Sequence, residues 1–190
     1  MEARAINIIS KQDKNLKIKI IPGHFATNHS HINYYIDMTG IKTKHNIAKI
    51  AGELLAKEYE TNTIIDTIVC MDGTEVIAAY LADRLAESGY GAMNRDETIR
   101  IITPEFNTNG QMIFRDNIQK CVWGKNILLL IASASTGKSI IRSLECIKYY
   151  GGKVVGISAL FSAIENQYHV PIKALFTPED LPDYHCLLYT

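Results

Sequence analysis

The chain lacks most of the signals that would place it in a special class. It has no apolar run near the length of a membrane span. Residues 1–15 show no signal-peptide core, so a secreted, disulfide-built protein is not expected. Four cysteines, Cys70, Cys121, Cys146 and Cys186, are scattered without a CxxC pair. That spacing argues against a structural zinc site and for a reducing, cytoplasmic setting. Formal net charge is +0, and no basic stretch interleaves with aromatics, so no nucleic-acid footprint is evident. No internal repeat or low-complexity segment breaks the chain. What remains is 190 residues of ordinary globular composition, long enough for one well-buried domain and short for two.

The most informative stretch is Asn126 to Tyr150. Ile127, Leu128, Leu129, Leu130 and Ile131 form an unbroken apolar run, as in a strand buried on both faces of a parallel sheet. Small and hydroxyl residues follow, Ala132, Ser133, Ala134, Ser135 and Thr136, then Gly137. Ile140, Ile141, Leu144 and Ile147 then recur at helical spacing, up to Gly151 and Gly152. Strand, small-residue loop and helix start together make an anion site. Free backbone N–H groups and the positive end of the helix dipole meet in the loop. The run from Ala132 to Ser139 is also a permissive match to a nucleotide-binding P-loop, with Lys138 as its lysine. That reading needs a later Asp on an apolar strand for magnesium, and the strand expected at Val154–Leu160 carries none.

A second unit of the same kind precedes it. Residues 64–70 read as a buried strand, followed by Met71, Asp72, Gly73, Thr74 and Glu75, then a helix from about Val76 to Glu87. Thr74 and Glu75 suit a helix cap and first turn. The same exposed N–H groups would also hold an anion, and Asp72 offers an oxygen ligand for magnesium. Further strands are expected at 18–21, 34–38, 98–102, 153–160 and 171–176, with a helix at 47–55 capped by Thr43. His29 and His31 form an HxH pair that lacks a third ligand and is otherwise a solvated turn. Residues 103–125 lose periodicity, and Met112, Ile113 and Phe114 suggest a short hairpin arm, a lid or a packed contact. Repeated βα units imply a Rossmann-like parallel sheet flanked by helices, with both loops, 71–75 and 132–139, at the strand C-terminal edge.

Ser135, Thr136, Gly137, Lys138 and Ser139 after an apolar strand resemble the phosphoribosyl pyrophosphate motif of type I phosphoribosyltransferases. Ser30, Asn33, Tyr34, Tyr35 and Asp37 loosely resemble the N-terminal element of the orotate members. The resemblance implies one domain with a small hood (about 1–42 plus the C-terminal tail), a core (about 43–177) and a flap or arm (about 103–125). It implies transfer of ribosyl 5-phosphate from phosphoribosyl pyrophosphate to a nucleobase such as orotate, with magnesium, in a homodimer. Ser133 to Ser139 would hold the 5-phosphate and Met71 to Thr74 the pyrophosphate. Phe161 and Tyr35 would contact the base, and Asp72 would meet the metal. The motif departs from the family at one place. Where the family has two acidic residues for the ribose hydroxyls, this chain has Ile131 and Ala132. A nucleotide-binding regulatory relative is therefore the alternative, and no catalytic side chain is assigned.

Overall fold

The structure, a computed structural model, describes residues 4–26, 30–87, 89–108 and 110–188. The chain runs β1 (Ile6–Ile9), β2 (Lys17–Ala26), β3 (Ser30–Asp37), α1 (Thr39–Thr43), α2 (His45–Ala56), β4 (Thr67–Cys70) and α3 (Glu75–Glu87). It continues with β5 (Arg100–Ile102), β6 (Glu105–Phe106), β7 (Met112–Ile113), α4 (Asp116–Gln119), β8 (Asn126–Ala134) and α5 (Lys138–Tyr149). It ends with β9 (Lys153–Ser162), β10 (Asn166–Gln167), β11 (Val170–Phe176) and β12 (Cys186–Leu188).

The central sheet has the order β10-β11-β9-β8-β4-β5, parallel except for β10 at one edge. Its strands are apolar on both faces because both are covered. Along β8, Leu128, Leu130 and Ala132 face a core shared with α2, α3 and the hood. Ile127, Leu129 and Ile131 face a second core with α5 and the arm. The period of two thus splits one apolar run between two layers. On the first face α2 and α3 approach closely at Gly52, where a Cβ would lie 2.7 Å from the Ile77 carbonyl oxygen. On the second, α5 stops as its two glycines predict. Gly151 N–H donates to Lys148 O at 3.0 Å and Gly152 N–H to Ile147 O at 2.9 Å, with Gly151 at φ +77°.

The hood is a four-stranded sheet, β1-β2-β3-β12. It differs from the sequence reading at several points, the unexpected strand β1 among them. The strand expected at 18–21 runs on to Ala26, because a register shift between Pro22 and Phe25 absorbs the Pro-Gly pair. The irregular tail contributes β12, antiparallel to β3. Thr43 does not cap α2; its hydroxyl donates to Thr39 O at 2.7 Å inside the short helix α1. His29 of the HxH pair lies outside the described residues. His31 instead meets His24, ring nitrogens 2.7 Å apart.

The arm is a hairpin, β6 against β7, turned by Asn107, whose side chain accepts from Gln111 N–H at 2.8 Å. It packs on its own chain. Met112 and Phe114 are buried, Phe114 lies edge-on to Tyr150, and Cys146 Sγ donates to Met112 O at 3.2 Å. No second subunit is needed to cover those residues.

Candidate functional site

Because β4 and β8 are parallel neighbours, the loops that leave their C-terminal ends open on the same side. Met71 N–H still donates to Leu130 O at 2.8 Å, the last rung before the two loops diverge. Between them and the arm lies a cleft of about 1060 Å³.

One wall is the β8–α5 loop. Gly137 sits at φ +75°, a conformation that suits glycine, and it precedes α5 without any side-chain cap. Ile141 N–H, donating to Gly137 O at 2.9 Å, is the first to bond back into the helix. The N–H groups before it are the unsatisfied donors of a helix start. Gly137 is also tightly enclosed: a Cβ there would lie 2.5 Å from Gln167 Oε1 and 2.8 Å from Ile164 Cδ1. Ser133, Ala134, Ser135, Thr136, Gly137 and Ser139 all line the cleft. Lys138 does not; it is exposed at the first position of α5.

The facing wall is the β4–α3 loop. Asp72 and Gly73 both take left-handed backbone, φ 59° and 76°. Met71 and Asp72 line the cleft, whereas Gly73 and Thr74 do not. Thr74 is fully buried, and its hydroxyl donates to Met71 O at 2.9 Å, so its side chain is committed to holding the loop. The base-contact expectations fare differently from the loops. Phe161 is 1% exposed and packs against Tyr184 of the tail, ring centroids 5.4 Å apart, so it cannot stack on a ligand. Tyr35 is exposed on β3 beside Phe25 and does not line the cleft.

Ile131 and Ala132 line the cleft, each only 5% exposed. Their side chains belong to the two cores, and neither can accept a hydrogen bond. Among the described residues no group of three or more His, Cys, Asp or Glu is arranged to hold a metal ion.

Sequence reasoning passed over two basic residues here. Arg142 on α5 lines the cleft one turn beyond the phosphate-type loop. Lys42, on α1 of the hood, also lines it and donates from Nζ to Asp72 O at 2.9 Å. Only the packing of hood on core brings Lys42 to this loop. Asp37, at the start of α1, is held below the usual carboxylate range. The Thr39 side chain and N–H bond it, and Lys19 and Lys42 add to the effect.

Comparison with known proteins gives the same picture from outside. No family model matches the chain. The curated orotate phosphoribosyltransferase of Pyrococcus horikoshii is 29% identical over 138 residues, 71% of this chain and 68% of that one. Among solved structures, an orotate phosphoribosyltransferase of Mycobacterium tuberculosis superposes with a TM-score of 0.57 at 15% identity, over 85% of this chain and 90% of that one. An adenine phosphoribosyltransferase of Thermoanaerobacter pseudethanolicus gives 0.57 at 15% identity, over 93% and 96%. A parallel sheet with a hood, an arm and two loops at one sheet edge is thus the type I phosphoribosyltransferase fold. In sequence and in fold the chain is similar to phosphoribosyltransferases, orotate phosphoribosyltransferases among them.

Proposed function

We propose that the protein binds a phosphoribosyl compound in the 1060 Å³ cleft and transfers its ribosyl 5-phosphate to a planar nucleobase such as orotate. The observation that carries this reading is the uncapped start of α5 behind the left-handed Gly137, an anion cradle in the wall of the cleft. The 5-phosphate would accept from the free N–H groups after Ser135. The pyrophosphate of phosphoribosyl pyrophosphate would lie toward Met71 and Asp72. In the reaction the bond from ribose C1 to pyrophosphate oxygen breaks, and pyrophosphate leaves with the electron pair. A ring nitrogen of the base bonds to C1, and any proton it carries goes to solvent. No protein nucleophile is required; the chain's part is to position both ligands and stabilise the departing charge.

Magnesium ordinarily takes one or two carboxylates and completes its shell with phosphates and water. Asp72 is the one carboxylate at the loop that lines the cleft, which fits an ion carried mainly by the ligand's phosphates. When bound it would supply positive charge to the leaving pyrophosphate.

A second reading is favoured by Ile131 and Ala132. Each missing hydrogen bond from a charged acceptor forfeits roughly 1.5–3 kcal/mol. Two such losses slow a reaction by on the order of a hundredfold or more. The cleft would then serve as a sensor that binds a nucleotide or phosphoribosyl pyrophosphate with little turnover. One experiment separates the readings: pyrophosphate release from phosphoribosyl pyrophosphate with magnesium, across orotate, uracil and the purine bases. Release with one base, abolished by Gly137→Asp, is the expected outcome. No release, with ribosyl 5-phosphate binding still lost in that variant, selects the sensor.

A further inference from the structure

We infer that Lys42 is the cation that receives the second anionic group of the ligand, and that it selects a pyrophosphorylated ribose over a simple ribose phosphate. The inference rests on the phosphoribosyl reading of the cleft and adds to it a residue from outside the core fold.

The β4–α3 loop is poorly equipped for an anion by its own side chains. Its one charged group lining the cleft is Asp72, of the wrong sign. Its threonine is buried and committed, and Met71 N–H is already used by Leu130 O. Lys42 supplies what the loop lacks. An ammonium has three donors, and the bond to Asp72 O uses one. The residue lines the cleft, and the bond to Asp72 O leaves two of its three donors for other partners. The other basic residue in the lining, Arg142, belongs to α5 on the opposite wall.

The lysine is also held in place before any ligand arrives. Ile41, its neighbour, is fully buried and fixes α1 to the core. Thr39 N–H donates to Asp37 Oδ1 at 2.9 Å at the start of the helix, and Thr43 bonds back to Thr39 O. The bond to Asp72 O restrains the long side chain and braces a loop that holds two consecutive left-handed residues. Much of the ordering cost of a flexible cation is therefore met in the free protein. β4 and β8 lie about 4.8 Å apart as neighbouring strands. Lys42 and the α5 start line the same cleft, so an anion at each would belong to one ligand with two anionic ends.

The test is calorimetric titration of the full chain with two probes, ribose 5-phosphate and phosphoribosyl pyrophosphate with magnesium. The variants are Lys42→Met and Lys42→Arg, with Gly137→Asp to report on the phosphate loop. In Lys42→Met the pyrophosphorylated ligand is expected to weaken by about tenfold or more, with ribose 5-phosphate within about twofold. Lys42→Arg recovers most of the loss, and the salt dependence of phosphoribosyl pyrophosphate binding flattens only in the Met variant. Equal weakening of both probes in Lys42→Met would make the lysine a structural brace and overturn the inference, as would no change in either. If the wild-type chain binds ribose 5-phosphate and Gly137→Asp abolishes it, the phosphoribosyl reading stands whatever Lys42 does. If the wild type binds neither probe, that reading and this one fall together.

Discussion

At Gly137 two constraints meet that no other residue type satisfies. Its φ of +75° disfavours a side chain, and the space where a Cβ would stand is taken by Gln167 and Ile164. A left-handed non-glycine costs about 1–2 kcal/mol, and the crowding adds to it. Gly137→Ala is therefore expected to lower stability by at least about 1 kcal/mol and to weaken ribose 5-phosphate binding by about tenfold or more. Thermal unfolding and titration on one preparation check both; unchanged binding would move the phosphate away from this loop. The glycine, its flanking hydroxyl residues and the apolar strand before it were legible because the pattern is local. Lys42 was not, because its partner, the Asp72 carbonyl, lies 30 residues away and belongs to another layer. Phe161 failed as a base contact for a similar reason. The strand end looked open in sequence, but Tyr184, 23 residues on, comes back to cover it.

At the scale of elements, helices and buried strands were read well and the hood poorly. β8 and α5 carry their own start and stop signals, an apolar run, a glycine turn and a glycine-ended helix. β1 and β12 have too few residues and too little alternation to announce themselves, and they exist through pairing with β2 and β3. The arm lies between these cases. Its turn residues and apolar triplet suggested a hairpin, yet only the structure shows what covers it. Phe114 is 2% exposed, against Tyr150, and anchors the hairpin to the end of α5. Phe114→Ala should loosen the arm without unfolding the core, because local units open below the global free energy. Trypsin cleavage at Arg115 and Lys120 is expected to speed up by about tenfold or more under conditions where the rest of the chain stays folded. Comparable cleavage in both proteins would mean that the arm is held by something other than this contact.

At the scale of the whole molecule, several acidic protons are buried and the fold keeps them neutral. Tyr59, which follows α2, ties the helix layer to the sheet. Its hydroxyl pairs with Ser158 Oγ at 2.9 Å and donates to Ile157 O at 3.2 Å. Burial pushes its pKa from 10.0 to about 12, and burial likewise pushes the Cys70 thiol from 9.0 to about 12. In both cases the unfolded chain releases its proton first. Stability is therefore full below the unfolded values and falls as pH rises from about 9 towards 12. At about pH 11 the loss is on the order of 1 kcal/mol through Tyr59 and larger through Cys70, whose unfolded value is lower. Tyr59→Phe removes one of the two titrations and also the bond to Ser158. It should thus be less stable than wild type at about pH 8 but lose less stability, by on the order of 1 kcal/mol, on going to about pH 11. Urea unfolding at the two pH values measures the difference directly. A pH-dependent loss identical in both proteins would show that Tyr59 titrates alike folded and unfolded. The layer contact through Ser158 would then not be the closed, dry one that its geometry describes.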